Sequence, residues 1–362
     1  MTTRREFLGA SALALAATSA NATSMLRPAD RSLNILFLGG TGFIGPHQIN
    51  YALDRGHNVT MFNRGSNAGL YGDRVEELVG NRDTNIDAGL TPLEGDRRWD
   101  VVIDNSGYVP RHVRDSVELL KDRCDLYLYV STVAVYDFEA SPTVDENGPL
   151  LPAPDPDTEE VTGATYGPLK AECDRIVQEM MGDRASIVRP TYIVGPGDST
   201  DRFTYWVDRF HRGGDVVCPA GPELNCVWID VRDLCHWIIT LAENGTAGIF
   251  NGSGPISPMN NEAVMLAMRS FTGKEVTLNW PSLELVQEME FPTPMFRPQT
   301  WSRYINSPAA QAAGLTYRPL ADSIRDTYEW WSSQPEERRA NARRWPTAEQ
   351  EQAMLARIRA EA

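Results

Sequence analysis

The stretch Leu33–Gly45 reads LNILFLGGTGFIG. Buried-strand residues run straight into a glycine-rich turn, with Gly39, Gly42 and Gly45 at a spacing of three, and an amphipathic segment follows. Few folds accommodate that order. The first glycine makes a tight turn, the second lets the backbone approach a pyrophosphate, and the third lets helix pack on strand. The helix N-terminus then meets the negative charge. Such a glycine pattern is weak in isolation. Between a buried strand and a helix it points to a dinucleotide pocket formed by Gly39, Thr41, Gly42, Phe43, Ile44 and Gly45.

The same alternation continues. HNVTMFN, RVEELVG, WDVVIDN, DLYLYVS and ASIVRP read as further buried strands, with helical stretches near 43–55, 111–123 and 166–181. Strands alternating with helices imply an α/β fold, a doubly wound parallel sheet of Rossmann type, here over 33–195. After Pro190 the regularity fails. Residues 196–335 are expected to form a smaller C-terminal mixed α/β substrate lobe, with a hairpin around 216–229 and helices near 231–243 and 260–273. Residues 137–162, rich in Pro, Asp and Glu, should loop over the carboxyl edge of the sheet. Residues 336–362 read as a charged helical tail packed on the surface.

The strand after the first helix ends in FNRG. An acid there would accept hydrogen bonds from a ribose 2′-hydroxyl. Asn63 followed by Arg64 favours a 2′-phosphate instead, hence NADP, with NAD as the alternative. Tyr166 and Lys170, four apart in TYGPLK, share one helix face, and Pro168 fits only a first turn. A lysine beside a tyrosine is expected to lower the phenol pKa, making it usable as a base. Ser131 and Thr132 add hydroxyls at the end of the fifth strand. In DSTDRFTYWVDRFHRGG, Arg202 and Tyr205 could hold a substrate, although the same aromatics also suit a helix core. Asp230 reads as a helix cap.

GGTGFIG, YVSTVAVY, YGPLK and RPTYIVGPGD together resemble the extended short-chain dehydrogenase/reductases, the NAD(P)-dependent epimerases and dehydratases, over about 33–335. The resemblance implies Thr132 as the active hydroxyl, Tyr166 as general acid/base, and Lys170 as the residue that binds the nicotinamide ribose. It places Asn105, Pro190 and Ile193 along the cofactor and Ser131 and Tyr192 toward the substrate. Val133-Ala134 stands where nucleotide-sugar 4,6-dehydratases carry Asp-Glu, and DNSGYVP replaces the usual His-x-Ala-Ala. The substrate is therefore left open. A redox-neutral epimerase acting on a small sugar-like or polyol alcohol with a tightly held cofactor, an NADPH-consuming reductase, and an RNA-binding relative of the fold all remain.

Ahead of the glycine turn, Thr3-Arg4-Arg5-Glu6-Phe7-Leu8, an apolar run and Ala20-Asn21-Ala22 resemble a twin-arginine signal peptide over 1–22. That implies the Tat export machinery as a partner and a periplasmic location. A net charge of −15 argues against nucleic acid, and no later stretch is apolar for the ~20 residues of a membrane span. Five scattered cysteines read as buried residues, although Cys218 and Cys226 could pair across a turn. The five histidines show no metal spacing. A homodimer is compatible with all of this.

Overall fold

The computed structural model describes residues 28–218, 221–296 and 304–361, so the signal-like leader lies outside the described residues. Seven parallel strands form the central sheet: β1 (Asn34–Leu38), β2 (Asn58–Asn63), β3 (Glu76–Val79), β4 (Trp99–Asp104), β5 (Cys124–Val130), β6 (Ala185–Pro190) and β7 (Gly248–Gly252). Their spatial order is β7-β6-β5-β4-β1-β2-β3. The order reverses beside β1, which places a crevice at the carboxyl ends of β1 and β4.

Helices α1 (Ile44–Asp54), α2 (Pro110–Leu120) and α3 (Tyr166–Met181) fall near where periodicity predicts them, α4 (Arg202–Arg212) forms where the aromatics also suited a helix core, and α5 (Val231–Glu243) again follows the periodicity. Side chains alternate across each strand. Ile35 and Phe37 point into one core with Ile49 of α1 and Ile238 of α5. Leu36 and Leu38 point into the other, with Val113 and Val117 of α2 and Ile176 and Val177 of α3. Both faces are thus covered, which is why these strands are near-continuous apolar runs.

Two features differ from the sequence expectations. The sheet has a seventh strand, β7, drawn from the segment assigned to the second lobe. It pairs with β6 in the register Ile249 to Ile187. The hairpin expected around 216–229 does not form. Gly214–Val217 pairs in parallel with Val276–Asn279, while Asn225–Asp230 pairs with Tyr192–Val194 and with Gly254–Asn260. Each half of the expected hairpin finds a longer-range partner. All five cysteines are free and buried, Cys218 and Cys226 included.

In the second lobe α4 buries Phe203, Trp206 and Phe210 against Val264, Met268 and Phe296. The tail forms helices Glu336–Ala340 and Ala348–Glu361, and Met354 and Leu355 pack on Val217 and Leu285. Arg338 bonds both carboxylate oxygens of the fully buried Asp201, and Arg209 pairs with Glu351 at 2.7 Å. Among the described residues no helix is long and apolar enough to cross a membrane, and no cluster of His, Cys, Asp or Glu could hold a metal ion.

Candidate active site

The glycine turn is shaped by close approach. Gly39 adopts φ +82°, the left-handed region that glycine enters without penalty. A Cβ on Gly45 would sit 2.3 Å from the Gly40 carbonyl oxygen, so the start of α1 can lie against the turn only without a side chain there. A Cβ on Gly42 would meet nothing within 4 Å. The turn is tight behind and open in front, as a cradle for a phosphate group requires. Gly40, which the spacing argument passed over, packs as closely as Gly45: a Cβ would come within 2.6 Å of Ile49 and Met61.

One cavity of about 960 Å³ runs from this turn, across the carboxyl ends of the strands, into the second lobe. Thr41, Phe43, Ile44, Asn63, Arg64, Asn105, Ser131, Thr132, Tyr166, Lys170, Pro190, Tyr192, Ile193 and Arg202 all line it together with the three glycines. Tyr205 does not, and its expected substrate role is corrected. Tyr205 is 1% exposed, edge-on to Trp206 and Trp345, so it belongs to the apolar face of α4. Trp206 and His211 also turn away; His211 stacks on Tyr328 at 3.4 Å. Asp230 caps α5 as expected, accepting from the Arg232 N–H at 2.9 Å.

Tyr166 is the first residue of α3 and lines the same cavity as Thr132, whose hydroxyl favours the ionised form of its phenol. Thr132 lies two residues past the end of β5 and accepts from the Ala134 N–H at 3.2 Å. The two meet because Gly167 lets α3 touch the chain after β5: a Cβ there would be 2.5 Å from the Ala134 carbonyl oxygen. Gly167→Ala is expected to push the helix off that strand end. It should lower turnover by at least tenfold while leaving cofactor affinity within a factor of about two, as a 1 Å misplacement of reacting groups can cost up to ~100-fold. Steady-state kinetics alongside calorimetric cofactor titration separates the two effects.

Lys170 is 2% exposed and its Nζ donates to the Gly107 and Val130 carbonyls at 2.7 and 2.9 Å. An ammonium has three donors, so one is left for a ligand. Burial pulls its pKa down to about 8. The expected effect of Lys170 on Tyr166 is not what the structure displays. Burial pushes the Tyr166 phenol up, the Thr132 hydroxyl and Arg202 pull it down, and Lys170 is turned to its two carbonyls. Because Lys170 loses its charge as pH rises through about 8, dinucleotide affinity is expected to be flat below that pH. Above it, affinity should weaken roughly tenfold per pH unit, the limit for binding that needs the protonated form. Titrations between pH 7 and 9.5 measure this; a flat profile contradicts it.

Several site residues escaped sequence reasoning. Arg82 bonds Asp104 through two nitrogens, at 2.6 and 2.9 Å, and reaches Ser106 at 3.2 Å. Ser106 donates to the Leu38 carbonyl and packs under Gly39, so this ion pair props up the glycine turn. Asn105, by contrast, is a residue the sequence resemblance placed along the cofactor: its Nδ2 donates to the Gly39 carbonyl and to Gln48, and its buried Oδ1 has no partner among the described residues. Phe138, Leu224, Val227, Met295, Phe296 and Ile305 wall the far half of the cavity. No spacing rule connects such distant positions.

The residues fit a dinucleotide: an open glycine cradle, an unpartnered buried amide oxygen beside it, and a buried ammonium with a donor to spare. Solved structures of similar architecture include a UDP-glucuronic acid 4-epimerase from Bacillus cereus in complex with NAD. It is 17% identical with a TM-score of 0.61, over 82% of this chain and 98% of that one. A dTDP-glucose 4,6-dehydratase from Bacillus anthracis, also with NAD, is 16% identical with a TM-score of 0.61, over 85% of this chain and 98% of that one. These likenesses concern the fold. An Arabidopsis thaliana protein, the chloroplast stem-loop binding protein of 41 kDa b, is 26% identical over 239 residues. That match spans 61% of this chain and 58% of the length of the relative. Residues 35–251, more than half of the chain and containing the glycine turn, Thr132, Tyr166 and Lys170, match one family: the chain belongs to the NAD dependent epimerase/dehydratase family.

Proposed function

We propose that the protein interconverts a secondary alcohol and its ketone, returning the substrate at the alcohol level as an epimerase or related isomerase does, with a dinucleotide retained between turnovers. The observation that carries this reading is the Thr132–Tyr166 hydroxyl pair in the same cavity as the glycine cradle and Lys170. A bound nicotinamide supplies reversible hydride acceptance. Tyr166 takes and returns the hydroxyl proton, Thr132 holds Tyr166 and the substrate oxygen in line, and Lys170 anchors the ribose. Val133 and Ala134 offer no acid or base for elimination, which speaks against a dehydratase. Mass spectrometry of small molecules released from the purified protein tests retention. Near-stoichiometric dinucleotide supports the redox-neutral reading; an empty protein that consumes added NADPH at every turnover favours a reductase.

NADP is the proposed form of the cofactor. Arg64 is exposed at the cavity rim, just past the end of β2. Asn63 is engaged, donating to Glu77 at 2.7 Å and accepting from the Gly65 N–H at 2.5 Å. Arg64→Ala is expected to weaken NADP by about 1.5–3 kcal/mol, roughly 10- to 150-fold, and NAD far less, on the scale of hydrogen bonds to charged groups. Equal losses by calorimetry would remove Arg64 from the ribose.

Export through the twin-arginine route is likewise a proposal, supported by the Thr3–Leu8 pattern. Cell fractionation of the wild type and of an Arg4→Lys, Arg5→Lys variant tests it. The Arabidopsis relative favours a second reading, stem-loop RNA binding, against which the net charge of −15 weighs. Filter binding at physiological salt discriminates.

A further inference from the structure

The far half of the cavity suits a ligand with a largely apolar body. Phe138, Leu224, Val227, Met295, Phe296 and Ile305 make up most of its wall, with Asn225 and Asn261 as its amides, and hydroxyls laid against the apolar stretch would lose their water partners without replacement. Positive charge is sparse on this side among the described residues. From Tyr192 onward, Arg202 is the one charged side chain that lines the cavity among the described residues. A pyrophosphate is normally met by several donors of positive charge.

Arg202 itself is placed for a single anion. Its Nε donates to Thr200 Oγ1 at 2.8 Å, and its guanidinium lies 4.9 Å from the centre of the Tyr192 ring. Neither acid beside it in sequence bonds its terminal nitrogens: Asp198 accepts from Thr200, the hydroxyl that Arg202 Nε also reaches, and Asp201 is held by Arg338. A guanidinium held by its face and its Nε keeps its two terminal nitrogens for a planar carboxylate. Arg202 lines the same cavity as Thr132 and Tyr166, so an anion docked on it shares the space of the reacting hydroxyls.

The backbone around this half is strained. Asp201, immediately before Arg202, has φ +57°, and Met295 in the wall has φ +67°, both in the left-handed region without being glycine. Each persists only where surroundings impose it. At Asp201 the surroundings are the tail: the Arg338 guanidinium, the Arg343 N–H at 2.9 Å and Trp345 Nε1, which donates to the Asp201 carbonyl at 3.0 Å. The tail therefore fixes the turn from which Arg202 reaches the cavity.

We propose that the substrate is a small monocarboxylate with an apolar body bearing a secondary alcohol, its carboxylate on Arg202 and its body against Phe138, Val227, Met295 and Phe296. The inference rests on the alcohol–ketone reading only for the alcohol. The test is calorimetric titration of the full chain in the presence of NAD, with 3-hydroxyoctanoate, 2-octanol and UDP-glucose as probes, on the wild type and on Arg202→Gln. The expected result is saturable binding of 3-hydroxyoctanoate that weakens at least tenfold in Arg202→Gln. 2-Octanol should bind both forms alike, and UDP-glucose should not saturate at millimolar concentration. Three outcomes would each overturn the proposal: UDP-glucose binding more tightly than the carboxylate, no saturation by 3-hydroxyoctanoate at millimolar concentration, or equal affinity of wild type and variant for it. Tyr166→Phe separates the two ideas. Undiminished 3-hydroxyoctanoate affinity with no alcohol oxidation by either protein counts against the redox reading and leaves the ligand class supported.

Discussion

Tyr166→Phe is expected to lower turnover by roughly 10²–10⁴-fold, the range for losing a positioned acid/base, with cofactor affinity and unfolding midpoint unchanged. The ring stays in place because α3 starts at that residue whatever its hydroxyl does, and because Gly167 sets the distance to the β5 end. Thr132→Ala should do less damage, since the neighbouring Ser131 or water can replace part of its role. Full activity of Tyr166→Phe on the enzyme's substrate would remove Tyr166 from the chemistry.

The largest expected loss of stability lies at Asp104. It is fully buried, accepts from both terminal nitrogens of Arg82 and receives the Tyr127 hydroxyl at 2.8 Å. Burial alone would push its carboxyl up; Arg82 and Tyr127 overcome that and hold it below the usual carboxylate range. Asp104→Ala strands the Arg82 charge and is expected to cost about 3–5 kcal/mol, the scale for breaking a buried pair from one side. The double variant Arg82→Leu, Asp104→Ala should recover most of that, because a pair replaced by apolar groups is often nearly neutral. Urea unfolding of the single and double variants measures both. The sign with pH follows from the lowered pKa. The contribution of Asp104 is complete above the ordinary aspartate value near ~4 and is lost as pH falls through its lower folded value. A double variant no more stable than the single would show that Asp104 acts through something other than Arg82.

What the sequence made legible was local. Strand, glycine turn and the start of the helix lie within thirteen residues, and Tyr166 and Lys170 within five, so fixed spacing carries their geometry. β7 was missed because GIFNG contains two glycines and an asparagine, weak strand formers that only pairing with β6 makes extended. Tyr205 was ambiguous because α4 presents aromatics on more than one side, and only the position of Trp345, far along the chain, shows which face is buried. Arg82 and Asp104 are 22 residues apart with no periodic relation, and their meeting depends on strand order. The expected pull of Lys170 on Tyr166 failed for a related reason. The carbonyls of Gly107 and Val130 take up the ammonium, and a helix-face argument does not include them.

The late arrival of β7 has a bearing on how this architecture can be made and divided. Its pairing of Ile187 with Ile249 closes a loop containing α4 and α5, a contact whose entropic cost delays it relative to the pairings inside the first half of the sheet. Until it docks, β6 presents an open row of amides and carbonyls to any neighbouring chain. A fragment ending near residue 195 would keep that row exposed permanently. It would also lack the Gly252 carbonyl that accepts the Thr191 N–H, and with it the support for the chain entering Tyr192. The nucleotide-binding half is thus not a portable module. Any exchange of the second lobe, by recombination or by engineering, has to carry α5 and β7 along with the half they complete.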